Sequence, residues 1–116
     1  MTRISSSTAA FEAALAGASS TEPVKLRLFV AGMGPRSTRA IADLQRLRAA
    51  YGQHCQVEII DIYQQPAIAA DAQVVAVPTL ARDAPLPRRK IIGTIADIAS
   101  VAFSLGLIPN EANGAV

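Results

Sequence analysis

Residues 24–35 of the chain read VKLRLFVAGMGP, and this stretch decides the fold class. Apolar residues occupy every second position of its first part, at Val24, Leu26, Leu28 and Val30. This alternation is typical of a β-strand, and the glycines and proline that follow it predict a turn. We therefore predict a strand that ends close to residue 32.

The segment after this turn has the pattern of an amphipathic helix. Ser37 is a suitable N-cap. An apolar stripe with helical spacing follows at Ala40, Leu44, Leu47 and Tyr51. We expect the helix to end at Gly52, and the β-branched residues 57–62 (VEIIDI) then predict a second strand. Because a helical crossover returns the chain to a parallel strand, this half predicts a βαβ unit.

The second half of the chain is less regular. Residues 66–71 predict a short helix, and residues 74–81 (VVAVPTLA) form a β-rich run that contains Pro78, which cannot donate a ladder hydrogen bond. Residues 88–93 predict a short strand. Residues 94–97 (TIAD) have capping-box spacing for a last helix that should stop near Gly106. The resulting order, βαβαββα, resembles that of thioredoxin-like α/β domains, which place a cis-proline where Pro78 falls.

Composition indicates one folded domain. The chain has 116 residues, of which 51% are hydrophobic and 17% charged, with a net charge of +2. This length fits a single core. Residues 1–23 are rich in Ser and Ala, so we predict a flexible N-terminal tail, a domain at 24–107 and a flexible C-terminal tail at 108–116.

Several classes of function are disfavoured by residue content. Cys55 is the only cysteine, which excludes an intrachain disulfide and a CxxC pair and favours a reducing compartment. No apolar run approaches the ~20 residues that cross a bilayer, so we expect a cytoplasmic protein without membrane contact. The scarcity of aromatic side chains that could stack on bases argues against nucleic acid as a partner.

Four segments together resemble the KaiB family of circadian clock proteins. They are residues 28–37 (LFVAGMGPRS), residues 60–62 (IDI) followed by Pro66, residues 76–81 (AVPTLA), and residues 85–93 (PLPRRKIIG). The segments follow the order of the family over about residues 25–107. The chain departs from the common pattern at Thr94 and at residues 104–106, so it resembles a divergent member.

This resemblance implies a non-enzymatic adaptor that binds the ring-shaped ATPase KaiC and modulates its phosphorylation or ATPase cycle. A histidine kinase, or KaiA where it exists, would be a further partner. Family members are metamorphic, with a tetrameric ground-state fold and a thioredoxin-like monomeric form that docks on KaiC. We therefore expect a thioredoxin-like domain, a possible alternative KaiB ground-state fold, self-association to a dimer or tetramer, and no cofactor.

The strongest charged feature surrounds a proline-rich turn. Its cationic residues are Arg82, Arg88, Arg89 and Lys90, and Arg39 on the first helix could extend the group. Pro85 and Pro87 restrict the turn, so that less entropy is lost when a partner orders it. Together with Pro78 they are candidates for structural cis-prolines. The cluster is either a solvated turn or a patch that docks on an acidic protein surface.

Two other functions remain open from sequence. A thioredoxin-like redox enzyme needs a nucleophile at the turn after the first strand, but residues 33–37 (MGPRS) contain no cysteine. Cys55, expected just before the second strand, is interpreted as an ordinary thiol, and His54 has no partner ligand beside it. A sensor module of the same fold, with a different partner, is the remaining alternative.

Overall fold

The computed structural model describes residues 23–110, which form four strands and three helices. In chain order these are β1 (Val24–Val30), α1 (Pro35–Tyr51), β2 (Cys55–Asp61), α2 (Pro66–Asp71), β3 (Thr79–Ala84), β4 (Arg89–Ile92) and α3 (Ile98–Leu105). The predicted βαβαββα order of a thioredoxin-like α/β domain is therefore confirmed. The expected N-terminal tail lies, except for Pro23, outside the described residues.

The four strands form one sheet in the order β2-β1-β3-β4. β1 pairs in parallel with β2 and antiparallel with β3, and β3 pairs antiparallel with β4. The crossover helix α1 explains the parallel pair, as predicted. β2 lies at the edge of the sheet, and Ile59 within it is 41% exposed. Its apolar sequence therefore does not indicate burial on both faces.

The sheet has a thickly covered face and a thinly covered one. α1 and α3 cover the first face, where the large core contains Leu26, Leu28, Val30, Ala40, Leu44, Leu47, Leu80, Ile95, Val101, Ala102, Leu105 and Leu107. The short α2 covers part of the other face, where the small core contains Phe29, Ile60, Ala69 and Ala81. The alternation of β1 supplies side chains to both cores.

Helix α1 begins three residues earlier than expected. Gly34 is the N-cap residue and Pro35 occupies the first turn, where the missing N–H of proline costs nothing. Ser37 therefore lies inside the helix, and its buried hydroxyl donates to the Ala31 carbonyl at 3.2 Å. The predicted N-cap at Ser37 is wrong, whereas the predicted apolar stripe is confirmed by the burial of its first three members.

The third strand begins after Pro78, and it includes only residues 79–81 of the β-rich run at residues 74–81. Proline has no N–H to donate to the ladder, and the strand starts with the next residue, Thr79. The peptide bonds before Pro78, Pro85 and Pro87 are all cis.

Helix α3 also has a different start from the predicted one. Asp97 is the N-cap residue, and its carboxylate accepts from the Ser100 N–H at 3.2 Å and from the Ser100 hydroxyl at 2.9 Å. The capping box predicted at Thr94 is therefore wrong. Gly106, with φ of 70°, ends the helix in the left-handed conformation that glycine favours, as predicted.

The folded domain extends past the predicted boundary at residue 107. The Asn110 N–H donates to the Ala50 carbonyl at 2.8 Å, and its side-chain amide donates to the Ala49 carbonyl at 2.9 Å. The Asn110 side-chain oxygen accepts from the Gln53 N–H at 2.7 Å. The expected C-terminal tail is therefore held to α1 as far as Asn110, and residues 111–116 lie outside the described residues.

Candidate docking surface

The proline-rich turn joins β3 to β4 at one end of the hairpin that these strands form. Leu86 lies in the turn and is 75% exposed, and Arg88, Arg89 and Lys90 are exposed immediately after it. The structure therefore brings these three cations to a projecting end of the sheet. We refer to Pro85–Lys90 as the basic turn.

The cations of the basic turn lie on both sides of the sheet. Arg89 is opposite Arg82 in the strand pair, and its guanidinium reaches the Ser104 carbonyl of α3 at 3.5 Å. Lys90 is opposite Ala81, and its ammonium donates to the Gln73 carbonyl after α2 at 3.0 Å. Because successive strand residues point to opposite faces, the positive charge wraps around the sheet edge.

Arg82 does not belong to the exposed group, so its predicted role in direct docking is wrong. It is 7% exposed, and its guanidinium donates to the Leu105 carbonyl at 2.7 Å and to the Pro87 carbonyl. Burial, and secondarily the charge of Arg89, lowers the pKa of Arg82 below its ordinary value. The burial of Arg82 could not be predicted from the sequence, because a buried arginine cannot be distinguished from an exposed one until the strand register is known.

Arg39 lies away from the basic turn. It lines a small cavity with Pro78 and Thr94, which flank the other end of the hairpin. β3 has six residues and is therefore about 20 Å long, at about 3.3 Å per residue. The expectation that Arg39 extends the patch is wrong, because a whole strand separates it from the turn.

Acidic residues beside the basic turn are partly neutralised within the sheet. Asp83 forms an ion pair with Arg27, whose guanidinium also lies 5.1 Å from the centre of the Phe29 ring. Arg27 and Asp83 line a groove together with Asp71 and the three exposed cations of the basic turn. The ion pair between Arg27 and Asp83 could not be predicted from the sequence, since only the β1–β3 pairing brings the two residues together.

The position that carries the dithiol in thioredoxins has no sulfur nucleophile in this protein. Residues 33–37 form the turn after β1 and the start of α1. Cys55, in contrast, pairs with Val24 at the opposite end of β1, because β2 runs parallel to β1. Cys55 is the first residue of β2. The expectation that it lies just before this strand is therefore wrong.

The environment of Cys55 does not activate its thiol. Burial raises the pKa of Cys55, although the charge of Arg48 acts in the opposite direction. Its sulfur lies 3.6 Å from the Tyr51 carbonyl. Since the thiolate is the reactive form, the environment reduces the reactivity of Cys55 at neutral pH.

Residues 23–110 have neither a cluster of metal ligands nor a membrane-spanning helix. This part of the chain contains no group of three or more histidine, cysteine and acidic side chains that could hold a metal ion. None of its helices is long and apolar enough to cross a bilayer.

Two solved structures show which fold the chain shares. The N-terminal domain of SasA from Synechococcus elongatus superposes with a TM-score of 0.60 and 22% identity, covering 72% of this chain and 84% of that domain. A thioredoxin from Plasmodium falciparum superposes with a TM-score of 0.60 and 14% identity, covering 79% of this chain and 78% of its own. At these identities the similarity shows the fold alone.

Sequence comparison identifies the family. The KaiB domain matches residues 27–106. The circadian clock protein KaiB3 of Synechocystis is 34% identical over 87 residues, which span 74% of this chain and 85% of the relative. The circadian clock oscillator protein KaiB of Synechococcus elongatus is 37% identical over 87 residues, with the same coverage. The chain therefore belongs to the KaiB family of circadian clock proteins, as a divergent member.

Proposed function

We propose that this protein is a non-enzymatic timing adaptor that binds a KaiC-type ATPase ring and modulates its phosphorylation or ATPase cycle. The observation that carries the proposal is a KaiB-family domain in the thioredoxin-like form whose turn after β1 lacks a sulfur nucleophile. Cys55, the only thiol, lies at the other end of the sheet in an environment that disfavours the thiolate. Such a domain is suited to binding and not to dithiol chemistry.

The basic turn supports a docking role. Arg88, Arg89 and Lys90 project from a turn whose two prolines restrict the backbone, so little entropy is lost on binding. Exposed cations of this kind complement an acidic protein face and accelerate encounter with it. We therefore place the contact with the ATPase ring at the basic turn.

Charge reversal on the turn tests this proposal. Arg88→Glu combined with Arg89→Glu should weaken binding to a purified KaiC-type ATPase, measured with and without ATP, by at least about tenfold, because like charges would face each other. Removing one of these charges with Arg88→Ala should weaken binding by about fivefold at most. Most of either effect should be in the association rate and should diminish at high salt.

A matched variant distinguishes the effect of charges on the basic turn from the effect of the net charge of the protein. Arg36→Glu combined with Arg39→Glu changes the charge equally at the start of α1, where both exposed residues line the cavity with Pro78 and Thr94 at the other end of the hairpin. It should leave affinity within about twofold of the wild-type value, because screening weakens interactions over more than ~10 Å. Wild-type affinity and salt dependence in the Arg88→Glu/Arg89→Glu variant would show that the basic turn is only solvated.

The absence of redox chemistry can be measured directly. The protein should not reduce insulin disulfides. Cys55→Ser should leave binding of the ATPase unchanged, because the partly buried thiol lies on β2, which β1 separates from the β3–β4 hairpin, and the substitution changes no charge. Insulin reduction that disappears with Cys55→Ser would instead support a redox function.

Further partners follow from the same proposal. A histidine kinase, or KaiA where present, would meet the protein in the cytoplasm. Self-association to a dimer or tetramer is supported by exposed apolar side chains such as Val75, 87% exposed, and Phe103, 88% exposed. Light scattering over a range of concentrations measures it, and a strictly monomeric protein would argue against the oligomer but not against the adaptor.

A further inference from the structure

Arg82 joins β3 to the basic turn and to the end of α3. It lies in β3, and its guanidinium donates to the carbonyl of Pro87 in the basic turn and to the carbonyl of Leu105, the last residue of α3. Its Nε is buried without a hydrogen-bond partner among the described residues. A buried guanidinium is costly unless it is hydrogen-bonded, so these two carbonyls determine where the side chain can lie.

The contact also provides a hydrogen-bond donor for each of the two carbonyls. The Leu105 carbonyl is at the end of α3, where helix carbonyls lack internal partners and where a cation complements the helix dipole. The Pro87 carbonyl belongs to the residue immediately before Arg88. Holding it therefore restricts the backbone from which Arg88 projects.

The space around the guanidinium is closely fitted. A Cβ atom built on Gly106 would lie 3.1 Å from Nη1 of Arg82. Arginine can serve both carbonyls because its donors form a planar fork, whereas a lysine ammonium is a single point of charge.

We infer that Arg82 is a positioning residue for the proposed docking: it fixes the Pro87 carbonyl against the end of α3 and thereby presents Arg88 to the partner. This inference rests on the proposed function and goes beyond it, because Arg82 itself is buried and touches no partner. It also makes the docking turn depend on α3, which contributes no residue to the basic turn.

The first test measures order in the free protein. ¹⁵N relaxation should give Leu86 and Arg88 backbone order parameters of about 0.85 in the wild type and below about 0.6 in Arg82→Met, which loses both donors. Arg82→Lys, which keeps the charge but can serve only one carbonyl, should give intermediate values. If Arg82→Met does not fold, the lysine variant decides the question.

The second test is a double-mutant cycle on the association rate with a KaiC-type ATPase. Arg88→Ala should slow association by about three- to fivefold in the wild type, as expected for an exposed charge. In the Arg82→Met background the same substitution should change the rate by less than about 1.5-fold, because the two residues act as a unit. A purely structural role for Arg82 would leave the two effects independent.

Val101→Ala provides the matched control. Val101 lies on α3 and is 6% exposed, so the substitution loosens α3 packing without touching Arg82 or the turn. It should lower stability but leave the order parameters of Leu86 and Arg88 unchanged.

The outcomes separate this inference from the proposed function. Unchanged order at Leu86 and Arg88 in Arg82→Met, or a full effect of Arg88→Ala in that background, overturns the role of Arg82. Failure of the wild-type protein to bind the ATPase overturns the proposed function. In that case the relaxation measurement still decides whether Arg82 orders the turn.

Discussion

The two faces of the sheet differ in how they are covered. On one face α1 and α3 enclose the large core, whose Leu44 and Leu105 are fully buried. On the other face the six-residue α2 encloses only the small core around Phe29, and the rest of that face carries charged groups such as the Arg27–Asp83 pair. The difference indicates that packing on the first face supplies most of the stability of the domain. The second face has less apolar packing and carries charged side chains in its place.

The largest expected effect tests the large core. Leu44→Ala should lower the free energy of unfolding by about 2–5 kcal/mol, because it leaves a cavity in a site with no exposure. Ile68→Ala, at a partly buried position on α2, should cost less than half as much. Urea denaturation measures both. Equal losses would break the comparison by showing that the α2 face contributes as much to stability.

A smaller effect, of opposite sign, is expected at the end of α2. Gln73 has a φ of 58°, a left-handed conformation that costs a residue with a Cβ about 1–2 kcal/mol, whereas glycine loses about 0.5–1 kcal/mol more backbone entropy on folding. Gln73→Gly should therefore stabilise the protein by roughly 0.5–1 kcal/mol.

Gln64→Gly is the control for this prediction. It makes the same chemical change in the β2–α2 loop, at a residue without positive φ, and should give no gain in the urea midpoint. A higher urea midpoint for both variants would show that the backbone conformation of Gln73 is not the cause. Glycine would then stabilise loops on the thinly covered face in general.

The smallest effect concerns the start of α3 on the thick face. Hydrogen bonds from the Ser100 N–H, and then from its hydroxyl, lower the pKa of Asp97 below 3.8. The ionised carboxylate is thus favoured in the folded state. Its contribution to stability is complete above pH 3.8 and is lost as the pH falls through the lowered pKa.

Asp97→Asn should remove this part of the acid dependence. Urea midpoints measured above and below pH 3.8 should differ less in the variant than in the wild type. An unchanged difference would assign the acid sensitivity to other carboxylates, and would show that packing alone holds α3 on its face of the sheet.

The first half of the fold could be predicted because its signals are local. The alternation of apolar residues in β1 and the apolar stripe of α1 show directly which secondary structure forms and which side is buried. The parallel orientation of β2 follows from the helical crossover. The start of α1 was misplaced because Gly34 with Pro35 competes with Ser37 as a helix start, and proline in the first turn settles the choice.

The second half depends on contacts that the sequence does not display. Residues 74–77 have high strand propensity, yet Pro78 prevents the ladder from including them, and no local pattern shows that the strand continues to Ala84. The docking surface shows the same difference between local signals and long-range contacts. Exposure of Arg88 could be predicted from its turn, whereas the burial of Arg82 depends on where α3 ends.

The hydrogen bonds that Asn110 makes with two carbonyls of α1 and with the Gln53 N–H have a practical consequence for shortened versions of the protein. Removing residues 108–116 would take away the groups that satisfy the Ala49 and Ala50 carbonyls, and would leave the Gln53 N–H without the Asn110 oxygen. The last turn of α1 would then be exposed to water and would fray. A truncation intended to preserve the domain should end after Asn110, although the sequence pattern suggests a cut after Leu107.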